Sequence, residues 1–158
     1  MSRIYEIMYL LDNNAVRAGW KEAKAAATAL IEKHGGKVLS ARRWDERKLA
    51  YTISQRRRGT FLLAYGELDA AGVATLRREL DLTESVLRYL ILKVEAVPEK
   101  ELELTRAESE AGFVVPPPPE DVLAIEEDYA EDEESETEDE AELDESNVPS
   151  AELAGEEV

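Results

Sequence analysis

The sequence predicts an α+β sandwich in which two helices cover one face of a four-stranded antiparallel sheet. Four segments rich in β-branched and aromatic residues predict the strands, and two segments with apolar residues in steps of three and four predict the helices. The order along the chain is βαββαβ. Because each crossover is right-handed, both helices must lie on the same side of the sheet. The predicted fold is therefore a ferredoxin-like sandwich whose second sheet face carries no helix.

The first strand and the first helix occupy the start of the chain. Residues 4–11 form an apolar and aromatic run with one glutamate, which is typical of a central strand. Asp12 and two asparagines follow, and such side chains accept hydrogen bonds from the free N–H groups at a helix start. One long helix is predicted from here to His34, since Gly35 and Gly36 supply the left-handed residue that commonly ends a helix. Its apolar face contains Val16, Trp20, Ala23, Ala27, Leu30 and Ile31.

A basic hairpin joins the second and third strands. The second strand is predicted over residues 37–53, with a bulge near Asp45 and Glu46, and the third strand over residues 60–68. Gly59 follows three arginines and is the expected break of the hairpin.

The second helix and the last strand complete the predicted domain. Asp69 is the expected N-cap, and Val73, Leu76 and Leu80 again lie three or four residues apart. The last strand is predicted over residues 85–94.

Charge divides the chain into two parts. Residues 1–97 contain 17 basic and 12 acidic residues, a net charge of +5, whereas residues 98–158 contain 2 basic and 24 acidic residues, a net charge of −22. We predict a folded domain over residues 1–97 and a disordered acidic tail over residues 98–158, with at most a fraying helix over residues 99–110 and a stiff proline spacer at residues 116–119. A tail so rich in carboxylates cannot bury enough apolar surface to offset its chain entropy. We expect it to screen the basic hairpin in the free protein.

Residues suited to catalysis or metal binding are scarce. The chain has no cysteine, which excludes disulfides, thiolate metal sites and cysteine nucleophiles. The single histidine, His34, lies at a predicted helix end, where a positive charge suits the helix dipole. Asp45 and Glu46 are adjacent, so on a strand they point to opposite faces and cannot act as an acid–base pair. We therefore expect no enzyme activity, no small-molecule substrate, no cofactor, no metal site and no membrane span.

The hairpin is the expected nucleic-acid interface. Arginine pairs with phosphate through two hydrogen bonds, and several phosphate contacts together give affinity that does not depend on sequence. The aromatic residues among the cations, which can stack on bases or fill the core, are Trp44, Tyr51, Phe61 and Tyr65. The hairpin cations are Arg42, Arg43, Arg47, Lys48, Arg56, Arg57 and Arg58.

The sheet face without helices is the expected protein interface. Side chains alternate between the two faces of a strand, and apolar residues remain on the open face whichever set faces the helices. The candidates for contact with a partner protein are Ile4, Met8, Leu90 and Leu92.

Four motifs carry a family resemblance: Arg3-Ile4-Tyr5-Glu6, Arg47-Lys48-Leu49-Ala50-Tyr51-Thr52-Ile53, Gly59 before the third strand, and Val86-Leu87-Arg88-Tyr89-Leu90. Together they resemble the bacterial small-subunit ribosomal protein six family, over residues 1–97 and in the same order. Two residues depart from the family pattern. Asp45 stands where Gly commonly follows the Trp, and Thr52 stands where Pro is common.

The resemblance implies a structural protein of the ribosome, located in the cytoplasm and without enzymatic activity. It implies binding to the central domain of small-subunit ribosomal RNA together with small-subunit protein eighteen. The RNA contacts that it implies are Arg3, Arg47, Lys48, Arg88 and Lys93, and charge alone adds the remaining hairpin arginines.

Two alternatives share the predicted order of elements. An RNA-recognition-motif domain reads single-stranded RNA with sheet aromatics, and Arg58 to Tyr65 begins and ends like its third-strand motif but lacks the aromatics between. An acylphosphatase-like enzyme needs a phosphate-binding loop after the first strand. Asp12-Asn13-Asn14 offers neither glycine nor arginine there, which disfavours the enzyme.

Overall fold

The computed structural model describes residues 1–121, all within one compact unit. Its eight elements follow the predicted βαββαβ order, with the first helix divided in two and a further helix at the end, and the fold class is confirmed. They are β1 (Arg3–Leu11), α1 (Asn13–Ala18), α2 (Trp20–Lys33), β2 (Lys37–Ile53), β3 (Arg56–Leu68), α3 (Ala70–Leu80), β4 (Val86–Val94) and α4 (Glu99–Ser109).

The four strands form one antiparallel sheet in the order β2-β3-β1-β4. Alternate residues of β1, namely Tyr5, Ile7 and Tyr9, are buried in the main core with apolar residues of α2 and α3 such as Ile31 and Leu76. The other set on β1 therefore faces away from the helices. This open face is the one that the sequence predicts to carry no helix.

The first helix is predicted to be continuous, but in the structure it is divided at Gly19. Asp12 caps α1 as expected, because its side chain accepts a hydrogen bond from the Asn14 N–H at 2.9 Å. Gly19 is extended and separates α1 from α2. Glycine is a poor helix former, which favours a break at this position. The end of α2 follows the prediction, with Gly35 in the left-handed region at φ 78°.

The hairpin turn lies at Ser54 and Gln55 and not at Gly59, which corrects the prediction. Both residues have positive φ, 49° and 63°, and Ile53 pairs with Arg56 across them. Two consecutive left-handed residues are typical of a type I′ turn, whose twist matches that of the strands. The three arginines therefore belong to β3, which begins four residues earlier than predicted.

Gly59 instead permits close packing inside β3. It is buried opposite Arg47, and a Cβ atom at this position would lie 2.5 Å from the Leu10 side chain. The missing side chain makes room for a neighbour, so a glycine that resembles a turn residue is here a packing residue.

A fourth helix lies beyond residue 97, where the folded domain is predicted to end. Glu99–Ser109 is helical, where the sequence predicts at most a fraying helix, and it contacts β2. None of its residues is buried, and polar contacts to β2 and α2 hold it. The predicted carboxylate-rich run over residues 126–145 lies outside the described residues.

Within residues 1–121, no helix combines the length and the apolar character that crossing a membrane requires.

Candidate nucleic-acid interface

The basic hairpin extends past the end of the central strand β1. Leu11, the last residue of β1, pairs with Thr60, so the part of β3 from Arg56 to Gly59 pairs with β2 alone. The pairing is interrupted at Trp44, one residue before the predicted bulge, and again where residues 49–52 oppose Arg57. Bulges increase the local twist of a hairpin. This twisted end therefore stands outside the plane of the four-stranded sheet.

The twisted end of the hairpin packs back onto the open face. Ile53 is buried in a small second cluster with Leu10 and Leu87, and Leu49 and Phe61 pack against it. The contact anchors the end of the hairpin through apolar burial. The cations are thus presented on a supported scaffold.

A polar network fixes the base of the hairpin to α1. The buried Asn13 accepts a hydrogen bond from the Thr60 hydroxyl at 2.8 Å and donates to Glu46 at 3.3 Å. Glu46 also pairs with the Arg58 guanidinium through two contacts of 2.8 and 2.9 Å. The Arg58 hydrogen bond, followed by that from Asn13, lowers the pKa of Glu46 below its ordinary value. Arg58 is therefore partly neutralised and its side chain has a fixed direction.

Arg47 and Lys48 carry the exposed charge of the hairpin. The Arg47 guanidinium lies 4.7 Å from the centre of the Trp44 ring and 2.6 Å from Asp45. The hydrogen bond from Arg47 lowers the pKa of Asp45. Lys48 is exposed and makes no ion pair with another described residue. These two side chains are therefore the ones placed to meet an anion from solvent.

Arg56 and the main chain of its two neighbours already contact carboxylates. The Arg56 side chain lies 3.3 Å from Asp12. The N–H groups of Arg57 and Arg58 donate to the Asp121 carboxylate at 3.0 to 3.2 Å. The start of β3 thus combines cationic side chains with main-chain donors that bind an anion.

The Arg42 side chain and the Arg43 main chain contact α4. Two guanidinium nitrogens of Arg42 donate to Glu101, and this contact lowers the pKa of Glu101. The N–H of Arg43 donates to Glu108 at 2.6 Å. The sequence groups these arginines with the hairpin, but the structure places them at the β2 edge beneath a helix.

The remaining predicted RNA contacts separate into two places. Arg88 is exposed and pairs with Leu10, so it lies near the hairpin end of the open face. Arg3 and Lys93 are exposed at the start of β1 and the end of β4, which is the opposite end of the sheet. Seven residue steps of β1 lie between Arg3 and Leu10, the partner of Arg88, which is roughly 23 Å at about 3.3 Å per residue. Arg88 can act together with the hairpin, whereas Arg3 and Lys93 form a separate basic site.

The candidates for a partner-protein contact share the open face. Met8 pairs with Leu90, and Glu6 pairs with Leu92. Ile4 lies two residues before Glu6 on β1, on the same face of the sheet. Leu90 and Leu92 are 54% and 46% exposed, and Ile4 and Met8 are half-buried. The α4 helix contacts the β2 side of the sheet and the hairpin covers Leu10 and Leu87, whereas Leu90 and Leu92 remain exposed among the described residues.

Comparison with known proteins assigns the family. A family model described as ribosomal protein S6 matches residues 4–93, more than half of the chain. The chain belongs to the ribosomal protein S6 family. Its relatives include a small ribosomal subunit protein bS6 of Fusobacterium nucleatum, which is 34% identical over 91 residues, or 58% of this chain and 97% of the relative. The protein of the same description from Granulibacter bethesdensis is 30% identical over 119 residues, covering 73% and 77% of the two chains.

A solved structure supports the fold. The crystal structure of 30S ribosomal protein S6 from Thermotoga maritima has a TM-score of 0.53 and 22% sequence identity, and the match covers 69% of this chain and 98% of that one. At this identity the likeness speaks for the S6 fold alone. Members of the S6 family are structural components of the small ribosomal subunit and not enzymes.

The two aromatic residues on the open sheet face of this S6 chain are poorly placed for reading single-stranded bases, whereas Trp44 and Tyr51, which are 41% and 66% exposed, lie on β2 of the hairpin. Tyr65 and Phe61 lie on the open face, but Tyr65 is 3% exposed and hydrogen-bonded to Glu6 at 2.7 Å. Phe61 packs with the second cluster and meets the Trp44 ring edge-on. An RNA-recognition motif needs open aromatic faces on the sheet. The arrangement therefore argues against that alternative.

The acidic residues of α4 and the segment after it were not identified as part of this surface. Glu101, Glu108 and Asp121 contact the basic residues of β2 and β3, yet all lie beyond residue 93, where the S6 family match ends. The one indication in the sequence is the opposite charge of the two parts. In residues 1–121, no group of three or more His, Asp or Glu residues is arranged to hold a metal ion.

Proposed function

We propose that this S6-family protein binds the central domain of small-subunit ribosomal RNA as a complex with small-subunit protein eighteen, in the cytoplasm. The observation that carries the proposal is the hairpin, which presents Arg47 and Lys48 beyond the end of the central strand β1. Exposed cations on a supported β-hairpin suit phosphate contacts that position a protein on folded RNA. Arg88 extends this surface, and Arg3 with Lys93 supplies a second contact.

The partner protein is proposed for the uncovered part of the open face. Leu90 and Leu92 lie on the edge strand β4 beside Met8, and each exposes about half of its surface. Apolar side chains grouped beside an unpaired strand edge favour a protein partner, which buries them and completes the hydrogen bonds of the edge.

A binding experiment with the full chain tests both parts. Affinity for a central-domain fragment of small-subunit ribosomal RNA is measured with and without protein eighteen across a salt series. We expect tight binding that requires the partner and weakens as salt rises, because phosphate contacts release counterions. Equal affinity for any short single-stranded RNA without the partner would contradict the proposal.

Two substitutions with matched controls separate the two surfaces. Lys48→Ala should weaken RNA binding and reduce the salt slope by about one, whereas Lys21→Ala, on the exposed side of α2, should change neither. Leu90→Glu should remove the dependence on protein eighteen. Leu82→Glu, at an 83% exposed leucine in the loop after α3, is its control. Equal effects of a variant and its control would argue against that surface.

A further inference from the structure

The paired N–H groups of Arg57 and Arg58 form an anion site in the described structure. Both donate to the same oxygen of Asp121, at 3.0 and 3.1 Å, and Arg57 also donates to the second oxygen at 3.2 Å. Successive N–H groups of a regular strand point in opposite directions, so they cannot meet on one acceptor. Convergent main-chain N–H groups are the arrangement that binds phosphates and other oxyanions in proteins.

The sequence of β2 explains why these N–H groups converge. Lys48 pairs with Arg58 and Ile53 pairs with Arg56, so four residues of β2 oppose Arg57 alone. This irregularity in the pairing takes the Arg57 main chain out of the regular hydrogen-bonded ladder. Because β1 ends at Leu11, which pairs with Thr60, the other side of this segment has no strand beside it either. The donors are therefore available to a group outside the sheet.

The surroundings of the site favour an anion of higher charge than a single carboxylate. Lys48 is the cross-strand partner of Arg58, is exposed and makes no ion pair with another described residue. The Arg58 guanidinium lies nearby, held by Glu46. A phosphate oxygen can accept from both N–H groups while Lys48 neutralises the remaining charge.

Asp121 reaches the site through a segment that is fixed at both ends. We call residues 110–121 the strap. At its start, α4 is attached to the sheet through Glu101 and Glu108, and near its end Glu120 lies 2.9 Å from Arg17. The proline run at residues 116–119 limits the freedom of the strap, and Pro118 is buried. A short, stiff connection gives the Asp121 carboxylate a high effective concentration at the two N–H groups.

We propose that the N–H pair of Arg57 and Arg58 is a binding site for an RNA phosphate, and that Asp121 occupies it as a competitor within the same chain. The inference rests on the proposed RNA-binding function and adds a specific phosphate contact to it. RNA must displace Asp121 to use the site. The strap thereby weakens RNA binding in the free protein and raises the contribution that other contacts must make.

The test compares the full chain with two full-length variants that each remove one negative charge. Asp121→Asn keeps the size of the side chain but weakens its hold on the N–H groups. Glu103→Gln, at an exposed residue of α4, is the matched control. The probe is the central-domain fragment of small-subunit ribosomal RNA at low salt, with protein eighteen present. Nuclear magnetic resonance of the Arg57 and Arg58 amides reports on the site itself.

Asp121→Asn should bind the RNA more tightly than the unmodified chain by up to about thirty-fold, the ratio expected when a competing charged hydrogen bond is lost. Glu103→Gln should bind like the unmodified chain, and RNA should shift the Arg57 and Arg58 amide resonances of Asp121→Asn. Equal affinities of all three proteins, equal tightening in both variants, or unmoved resonances would each overturn the inference while RNA binding persists. Absence of RNA binding by every protein would instead refute the proposed function, and the inference with it.

Discussion

Replacing Glu108 with glutamine should detach α4 from the sheet without unfolding the domain. The Glu108 carboxylate is 7% exposed and accepts three hydrogen bonds: from the Trp20 indole at 3.0 Å, from Lys24 at 2.8 Å and from the Arg43 N–H at 2.6 Å. No apolar residue of α4 is buried, so apolar packing cannot replace these contacts. Glutamine has one acceptor oxygen, and its NH₂ group would face donors.

The expected cost is the loss of one charged hydrogen bond, since Lys24 can turn to water and the amide oxygen can keep one donor. Such a bond contributes about 2 kcal/mol, equivalent to roughly a thirty-fold change in an equilibrium constant. An eleven-residue helix is too short to persist alone. Detachment of α4 should therefore also unfold it.

Native-state hydrogen exchange measures this opening directly. The α4 amides of Glu108→Gln should exchange roughly thirty-fold faster, while the amides of β1 and β3 should keep their rates, because α4 opens as a separate unit. Glu103→Gln is the control and should leave both sets unchanged. Unchanged α4 exchange would refute the role of Glu108, and equal acceleration in β1 would refute the independence of α4.

Three further predictions concern the hairpin and its ion pairs. Gly59→Ala should destabilise the fold by about 1 to 3 kcal/mol in urea unfolding, because the new Cβ would lie 2.5 Å from Leu10; an unchanged midpoint would contradict this packing. Gln55→Gly should stabilise it by about 1 kcal/mol, since φ is 63° there, and any destabilisation would argue against a left-handed turn. Arg58 and Arg42 lower the pKa values of Glu46 and Glu101 below their ordinary 4.5. The stability that these two ion pairs contribute is therefore complete above pH 4.5 and is lost as the pH falls through the lowered pKa values of the two glutamates. Urea midpoints measured down this range should fall, and less steeply for Glu46→Gln; parallel curves would show that Glu46 carries none of the effect.

The elements that follow from local chemistry could be predicted from the sequence. Asp12 and Asp69 are N-caps because a short carboxylate reaches the N–H two or three residues on, and this needs no distant partner. The strands and the helix-facing stripe follow from periods of two and of three to four residues. The same local logic gave the end of α2 at Gly35.

The errors arose where distant residues decide the outcome. Gly59 has the residue type of a turn, but its role depends on Leu10, which lies 49 positions away in the chain. Ser54 and Gln55 are not typical left-handed residues, and the turn is placed there by the strand register on both sides. The α4 helix has only a weak apolar stripe, and its position depends on Ser40, Arg42 and Lys24. Composition alone could not separate this docked helix from the tail.

The distribution of charge shows why counting cations overstates the interface. Seven basic residues occur from Arg42 to Arg58, but Arg42 is paired with Glu101, Arg58 with Glu46, Arg56 with Asp12, and the exposed Arg47 with Asp45. A guanidinium already neutralised by a carboxylate neutralises little phosphate charge and releases few of the counterions condensed on RNA, so it adds little to affinity for RNA unless that carboxylate moves. The ion pairs with Glu46 and Asp12 hold the shape of the hairpin, whereas Lys48 and Arg88 keep their charge for a partner. The protein thus divides one basic surface into structural arginines and accessible cations, and the acidic segment beyond the family match takes part in that division.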